Sequence, residues 1–337
     1  MATKGRKMNK RRKLVIALSA SALVGSFSSF AQQQGKVWRV GFLSGRKRPV
    51  PMDADYYGAF PRGMRELSYV EGKNLVIEWG FADGQYDRLP GLVADLIGLK
   101  VDVIVANAPP VIIVAQKATS TIPIVMVTSI DPVDAGFVKS LARPAGNITG
   151  ISNLSGEVSP KHLELLLTMS PKLSRVAVMV NPANRAHATM LKRVQAAALK
   201  VNVKVLPMEA RTPQEIGAAF SPQTKQNPEA LIVGLDPFFI EQRRQIAGLA
   251  AKNRILSIAT FREFVEDGGL MSYGQNLAEQ YRLVAIFVDK ILKGAKPSDL
   301  PVEQSTKFDV VINRKIAKAL GIEIPNSILM RADKVIE

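Results

Sequence analysis

The chain has 337 residues, 47% of them apolar, with no cysteine, two histidines and a formal net charge of +16. That length is long for one domain and suits two lobes of about 150 residues, each able to bury a core of its own. Zero cysteine excludes a lipid anchor on cysteine and leaves the redox compartment open, and two histidines are too few for a His-based metal site.

The first element in chain order is a basic head (Lys4, Arg6, Lys7, Lys10, Arg11, Arg12, Lys13), then an apolar run from Leu14 to Val24, then small residues ending Ser29-Phe30-Ala31. That order is the layout of a cleavable secretory signal, with small residues at positions −3 and −1 of a cut after Ala31. The 11 residues of that run would span about 16 Å as a helix against roughly 30 Å of bilayer hydrocarbon, so it reads as a signal rather than an anchor. A cytoplasmic protein with a basic tail is the competing reading, but a tail has no need of Leu14 to Val24. Removing residues 1–31 leaves 306 residues carrying +9, expected in the periplasm and not inserted in a membrane, since no later stretch approaches about 18 apolar residues. The densest remaining basic run, Arg46-Lys47-Arg48, lacks interleaved aromatics and any DNA-binding motif, so nucleic acid is not an expected partner.

From Val37 the pattern alternates between short apolar runs and amphipathic stretches. Residues 37–43, 74–79, 101–106 and 123–127 read as strands buried on both faces because they are continuous rather than alternating in polarity. Helix-length segments fall near 54–68, 86–98 and 109–119. After Gly146-Asn147-Ile148-Thr149-Gly150 the rhythm restarts, with strands expected at 175–180, 203–207, 230–234 and 256–259, and helices near 157–169, 184–199, 237–253 and 261–266. Two βαβ series imply two doubly wound parallel-sheet lobes in the α/β class. Tyr281, Val284, Ala285, Val288, Ile291 and Leu292 form one helical stripe over 278–293 with Gly294 as C′ residue. Thr212-Pro213-Gln214-Glu215 is a capping box that starts a helix at Pro213. The segment 101–107 before Pro109 echoes 230–236 before Pro237, a weak internal repeat.

In a doubly wound sheet, ligands lie beyond the carboxyl ends of the strands. Polar residues at such ends are Ser44, Asn107 beside Ala108 and Pro109, Ser129, Asp131-Pro132, Asn181-Pro182 and Asp236-Pro237. Each alone is explained by helix capping; as a set at the cleft end they are candidate ligand contacts, with Phe238 or Tyr273 to cover an apolar part. Arg46-Lys47-Arg48, just after the first strand, would steer an anion if it flanked the mouth, though such a run is commonly a solvated loop. No catalytic motif appears: there is no H-E-x-x-H, G-x-S-x-G, Walker A loop or G-x-G-x-x-G, and His162 and His187 have no neighbour that makes either a general base. Neither a metal nor a cofactor is expected.

Val40-Gly-Phe-Leu43, Gly72-Lys-Asn-Leu75, Thr119 to Val125 with Asp131-Pro132-Val133, Ser140 to Gly150, Ile291 to Pro297, Leu300-Pro-Val-Glu303 and Ala319-Leu-Gly-Ile322 together resemble the ABC transporter substrate-binding proteins related to the tryptophan-binding component of Gram-positive importers. The resemblance runs over residues 37–336. It implies a periplasmic-binding fold of the first type, two lobes joined by three crossings, here expected near Gly150, Tyr273 and Pro301. The lobes would then be 32–150 plus 274–301 and 151–273 plus 302–337. It also implies a small-molecule ligand, an amino acid in characterised relatives, and a permease partner in the inner membrane. If the ligand is an amino acid, Asp236 is the candidate for its ammonium and Asn107, Ala108 and Ser129 for its carboxylate. Pro109-Pro110 departs from the Gly-Thr-Pro type turn of many relatives, which weakens any transfer of ligand identity. A soluble sensor subunit is the alternative within binding proteins, and a periplasmic hydrolase the alternative outside them.

Overall fold

Each lobe is laid out by its sheet. In the computed structural model, which describes residues 1–2, 36–153, 158–221, 227–304 and 307–337, the first sheet holds β1 (Trp38–Ser44), β2 (Leu75–Phe81), β3 (Val103–Asn107), β4 (Ile124–Thr128), β5 (Ile148–Ser152) and the short β11 (Glu303–Gln304). Its order is β11-β5-β4-β3-β1-β2 and every pairing is parallel. The expected signal segment, with its basic head, apolar run and cut after Ala31, lies outside the described residues apart from Met1 and Ala2.

The second sheet holds β6 (Arg175–Val180), β7 (Lys204–Glu209), β8 (Ala230–Val233), β9 (Leu256–Ala259), β10 (Met271–Gly274), β12 (Asp309–Asn313) and β13 (Lys334–Ile336), in the order β13-β12-β10-β9-β8-β6-β7. It departs from the expected all-parallel form in one place: β12 runs antiparallel to β10. The reason is topological. The chain leaves the carboxyl end of β11 at the cleft and enters β12 from the cleft side, whereas β6 to β10 all point towards the cleft. The segments that echo each other in sequence, β3 and β8, occupy equivalent places beside the first strand of each sheet.

Helices cover both faces of the first sheet, which is why β3, β4 and β5 are buried along their whole length. They are α1 (Ala59–Glu66), α2 (Leu89–Gly98), α3 (Pro109–Ala118) and, returning from the second lobe, α10 (Leu277–Leu292). All six residues of the predicted stripe on α10 are buried. Asn276 caps its start through the Glu279 N–H, and Gly294, at φ +100°, closes it. The helix lies so close to α1 that a Cβ on Gly63 would come 2.9 Å from that of Ala285.

The second lobe is covered by α4 (Ser159–Met169), α5 (Arg185–Leu199), α6 (Pro213–Ala219), α7 (Pro237–Glu241), α8 (Arg243–Lys252), α9 (Glu263–Glu266), α11 (Arg314–Leu320) and α12 (Asn326–Leu329). The helix start at α6 forms as predicted, with Thr212 accepting from the Glu215 N–H, but the Glu215 carboxylate reaches one residue beyond the cap, to the Arg211 N–H. The single helix expected over 237–253 is instead two, broken at Gln242.

The chain passes from one lobe to the other after β5, after β10 and after β11. Ile151–Ser152 and Glu303–Gln304 pair within the first sheet, so they belong to the first lobe, where the sequence reading gave them to the second. β5 itself was unread because its Thr and Gly look like loop residues. In place, Thr149 donates to the Leu300 carbonyl (2.7 Å) and Gly150 takes φ +133°, where a Cβ would meet the Met126 carbonyl at 2.2 Å.

Candidate functional site

In both sheets the strand order reverses next to the first strand, between β1 and β3 and between β6 and β8. Such a switch point splays the connecting loops apart and opens a crevice beyond the strand ends. The two crevices face each other across the cleft, and two cavities lie there.

The inner cavity, of about 30 Å³, is lined from the first lobe by Tyr56, Asn107, Ala108, Val127, Ser129 and Asn153, and from the second by Leu235, Pro237 and Ile240, with Leu277 and Tyr281 of α10. That is room for about one water molecule. The outer groove, of about 600 Å³, has Ile113, Ser129, Asp131, Asp134 and Phe137 on the first lobe and Asn181, Asn184, Arg185, His187, Arg193 and Glu209 on the second. This is the size of a small-molecule site. Ser129 lines both cavities.

The first-lobe wall is aromatic. Tyr57 packs edge-on to Phe42 (5.0 Å) and Tyr281 (4.9 Å), while Tyr56 stacks on Tyr281 (5.5 Å). The Tyr57 hydroxyl shares a hydrogen bond with Ser44 Oγ (2.7 Å) and accepts from Asn107 Nδ2, and Asn107 Oδ1 is a buried acceptor without a partner. Ala108 sits at φ +63°, ψ +147°, a conformation that costs an alanine on the order of 1 to 3 kcal/mol and that clusters at ligand sites. The Arg46 guanidinium lies over both Tyr56 (4.8 Å) and Tyr57 (4.9 Å), on one side of the pair. It pairs with Asp55 (2.8 and 3.1 Å) and reaches across the cleft to Glu241 (2.6 Å). Only 3% of its side chain is exposed.

The second-lobe wall is a hydrogen-bond network around Asp236, the N-cap of α7. Its carboxylate accepts from Phe238 N (2.9 Å), Asn184 Nδ2 (2.9 Å) and Asn181 Nδ2 (3.3 Å), and from the Tyr86 hydroxyl of the first lobe (3.2 Å). Burial, then the Asp236 charge, push the Tyr86 pKa well above its ordinary value, so it remains a donor. His187 joins the same wall: the Asn181 N–H donates to Nδ1 (2.7 Å) and Nε2–H donates to the Leu235 carbonyl (3.2 Å). Burial lowers the His187 pKa against the opposing pull of Asp236.

Of the nine sequence candidates, Asn107, Ala108, Ser129, Asp131 and Asn181 line the two cavities. The other four line neither. Ser44 bonds within the first-lobe wall, and the Asp236 carboxylate accepts from four donors of the protein itself. Phe238 is buried against Phe239 and the turn at Gly84. Tyr273 lies in the second lobe, stacked on Phe308 with its carbonyl bonded to His162. Arg46 is no steering residue, because its charge is buried against two tyrosines and paired with Asp55 and Glu241; Lys47 and Arg48 are exposed. Sequence reading missed Tyr56, Tyr86, His187 and Tyr281. Only the adjacent Tyr56-Tyr57 pair, at the start of the first long helical segment, offered a signal. Among the described residues, no cluster of His, Asp and Glu is arranged to hold a metal ion, and no helix is long and apolar enough to cross a membrane.

Comparison with known proteins fits this geometry. The chain is 27% identical over 264 residues to a tyrosine-binding protein of Clostridioides difficile (strain R20291), covering 78% of this chain and 76% of that one. Its fold matches an ABC domain from Streptococcus pneumonia in complex with L-Trp, at 25% identity and a TM-score of 0.80 over 89% of this chain and 99% of that one. A ligand-free, open substrate binding protein with adhesive properties from Clostridium difficile is 28% identical over the same 89% of this chain and 99% of that chain, yet scores only 0.61. A family model described as ABC transporter substrate binding protein matches residues 51–336, and the chain belongs to that family.

Proposed function

We propose that this protein captures an amino acid between its lobes in the periplasm and hands it to the permease of an ABC importer. The observation that carries the reading is the outer groove, about 600 Å³ and lined from both lobes at the paired switch points. A ligand touched by both lobes shifts the population from open to closed, because closure adds contacts that the open form lacks. Both charges of a zwitterion find partners in that groove. Its carboxylate lies towards Arg185 and the N-terminal turn of α5, where helix N–H groups favour an anion; its ammonium lies towards Asp131 and Asp134. Ser129, which lines both cavities, holds the part nearest the inner one, where Asn107 and Ala108 frame the wall behind it. Tyrosine or tryptophan is the favoured class, on the strength of the two relatives named for those ligands.

Export follows from the N-terminal layout, with mature protein beginning at Gln32; N-terminal sequencing of the exported form checks it, and an intact Met1 in a membrane fraction defeats it. No residue is assigned a catalytic role, and the solute is expected to leave unchanged. Calorimetry with L-tyrosine and L-tryptophan, alongside mass spectrometry of any co-purifying small molecule, tests the ligand. Small-angle scattering tests the mechanism: the radius of gyration falls on saturation with unchanged secondary structure, and an unchanged radius counts against closure.

A further inference from the structure

We infer that His187 is the positioning residue that sets the second-lobe wall of the solute site, and that solute binding weakens when its ring takes up a second proton. The inference rests on the capture reading above. His187 is buried in the first turn of α5, and its two nitrogens bond to two different strand-end loops. Nδ1 accepts from Asn181, which follows β6 and lines the outer groove; Nε2–H donates to Leu235, which follows β8 and lines the inner cavity. One imidazole therefore fixes both sides of the switch point, and with them a wall of each cavity.

These bonds demand the neutral ring with its proton on Nε2. A proton on Nδ1 would face the Asn181 N–H, donor against donor, and the ring has no room to turn aside. It stacks on Phe239 at 5.6 Å and 7°, and it lies over Gly234 so closely that a Cβ there would come 2.7 Å from Nε2. Charging the ring must then move the Asn181 loop. Among charged neighbours, Asp236 at the start of α7 favours the second proton, and burial opposes it and prevails. Arg185 and Arg193 of its own helix, Glu209 at the end of β7, and Asp131 and Asp134 of the first lobe line the same groove. Those charges share the groove with the ring, so a variant is needed to separate their effect from that of His187.

The experiment measures the affinity of purified protein for L-tyrosine and L-tryptophan from pH 8 to pH 4.5, in the parent and in His187→Gln. Glutamine keeps an amide donor of similar reach and cannot titrate. The ¹⁵N shifts of His187 in ligand-free protein report the tautomer independently of binding. The parent is expected to show the Nε2–H tautomer, constant affinity near neutrality, and about tenfold weaker binding for each pH unit below the ring's titration. His187→Gln is expected to bind a few-fold more weakly at pH 7, with a flat profile. A parent that binds equally well at pH 8 and pH 4.5, a variant with the parent's profile, or an Nδ1–H tautomer overturns the inference alone. A parent that binds neither amino acid at any pH, with the tautomer as expected, overturns the capture reading and this inference with it.

Discussion

The two walls of the cleft stand on equivalent strands and are held by different forces. On the first lobe, Tyr56, Tyr57, Phe42 and Tyr281 pack against one another around the guanidinium of Arg46, with edge and face contacts at 4.7 to 5.7 Å. On the second, Asn181, Asn184, His187 and Asp236 are joined by directed hydrogen bonds. Aromatic packing falls off gradually as groups shift, whereas a buried hydrogen-bond network fails when one donor or acceptor is removed or changes its protonation. The first wall should therefore tolerate change, and the second should be brittle and sensitive to acid.

The largest expected effect breaks the second wall at its centre. Asp236→Ala leaves Phe238 N, Asn181, Asn184 and the Tyr86 hydroxyl without their acceptor in a buried place, and should lower unfolding stability by about 3 to 5 kcal/mol. Urea titration of the variant reads this directly, and a loss below about 1 kcal/mol would contradict the brittle-wall view.

Acid should act next, again through the second lobe. His162 on α4 is buried, bonded through Nε2 to the Tyr273 carbonyl (2.7 Å), with Nδ1 unpartnered. Burial pushes its pKa down to about 4, below the unfolded value of about 6.5. The unfolded state therefore binds more protons in that interval. The contribution is complete above pH about 6.5 and is lost as pH falls towards 4, amounting to as much as about 3 kcal/mol. Urea midpoints at pH 7 and pH 4.5 should differ accordingly in the parent, and by clearly less in His162→Phe.

Smaller effects probe the links between the walls. Glu241→Gln removes the negative charge that faces Arg46 across the cleft but leaves Asp55 and both tyrosines around it, so stability should hold. Solute affinity should fall by about 2 kcal/mol, roughly thirtyfold, because the bridge forms only in the closed state. Tyr86→Phe deletes one of four donors to Asp236 and should cost about 1 kcal/mol of affinity, near fivefold. Calorimetry on both variants ranks the links, and a reversed ranking would place the closing force on the hydrogen-bond side rather than at Arg46.

The local pattern by itself determined much of the molecule. Continuous apolar runs marked eight strands, the stripe from Tyr281 to Leu292 marked α10, and Thr212 with Glu215 marked the start of α6, because burial on both faces, helical periodicity and capping are all written within a few residues. Four of the nine candidate contacts, Asn107, Ser129, Asp131 and Asn181, line the cavities for the same reason: a polar residue at a strand end faces the cleft in any sheet of this kind. What only the tertiary structure decided depends on partners far along the chain. Arg46 reads as one member of a solvated basic run until folding brings Glu241, 195 residues away, to its Nε and two tyrosine rings to its faces. Asp236 reads as a local helix cap until folding brings Tyr86, 150 residues earlier, and two asparagines to its carboxylate. Strands β10 to β13 were unread because each depends on non-local pairing, and β12 takes its direction from the third crossing of the cleft rather than from its own residues. A strand end shows that a side chain points towards the cleft; whether it meets solute or protein there is set by the opposing lobe.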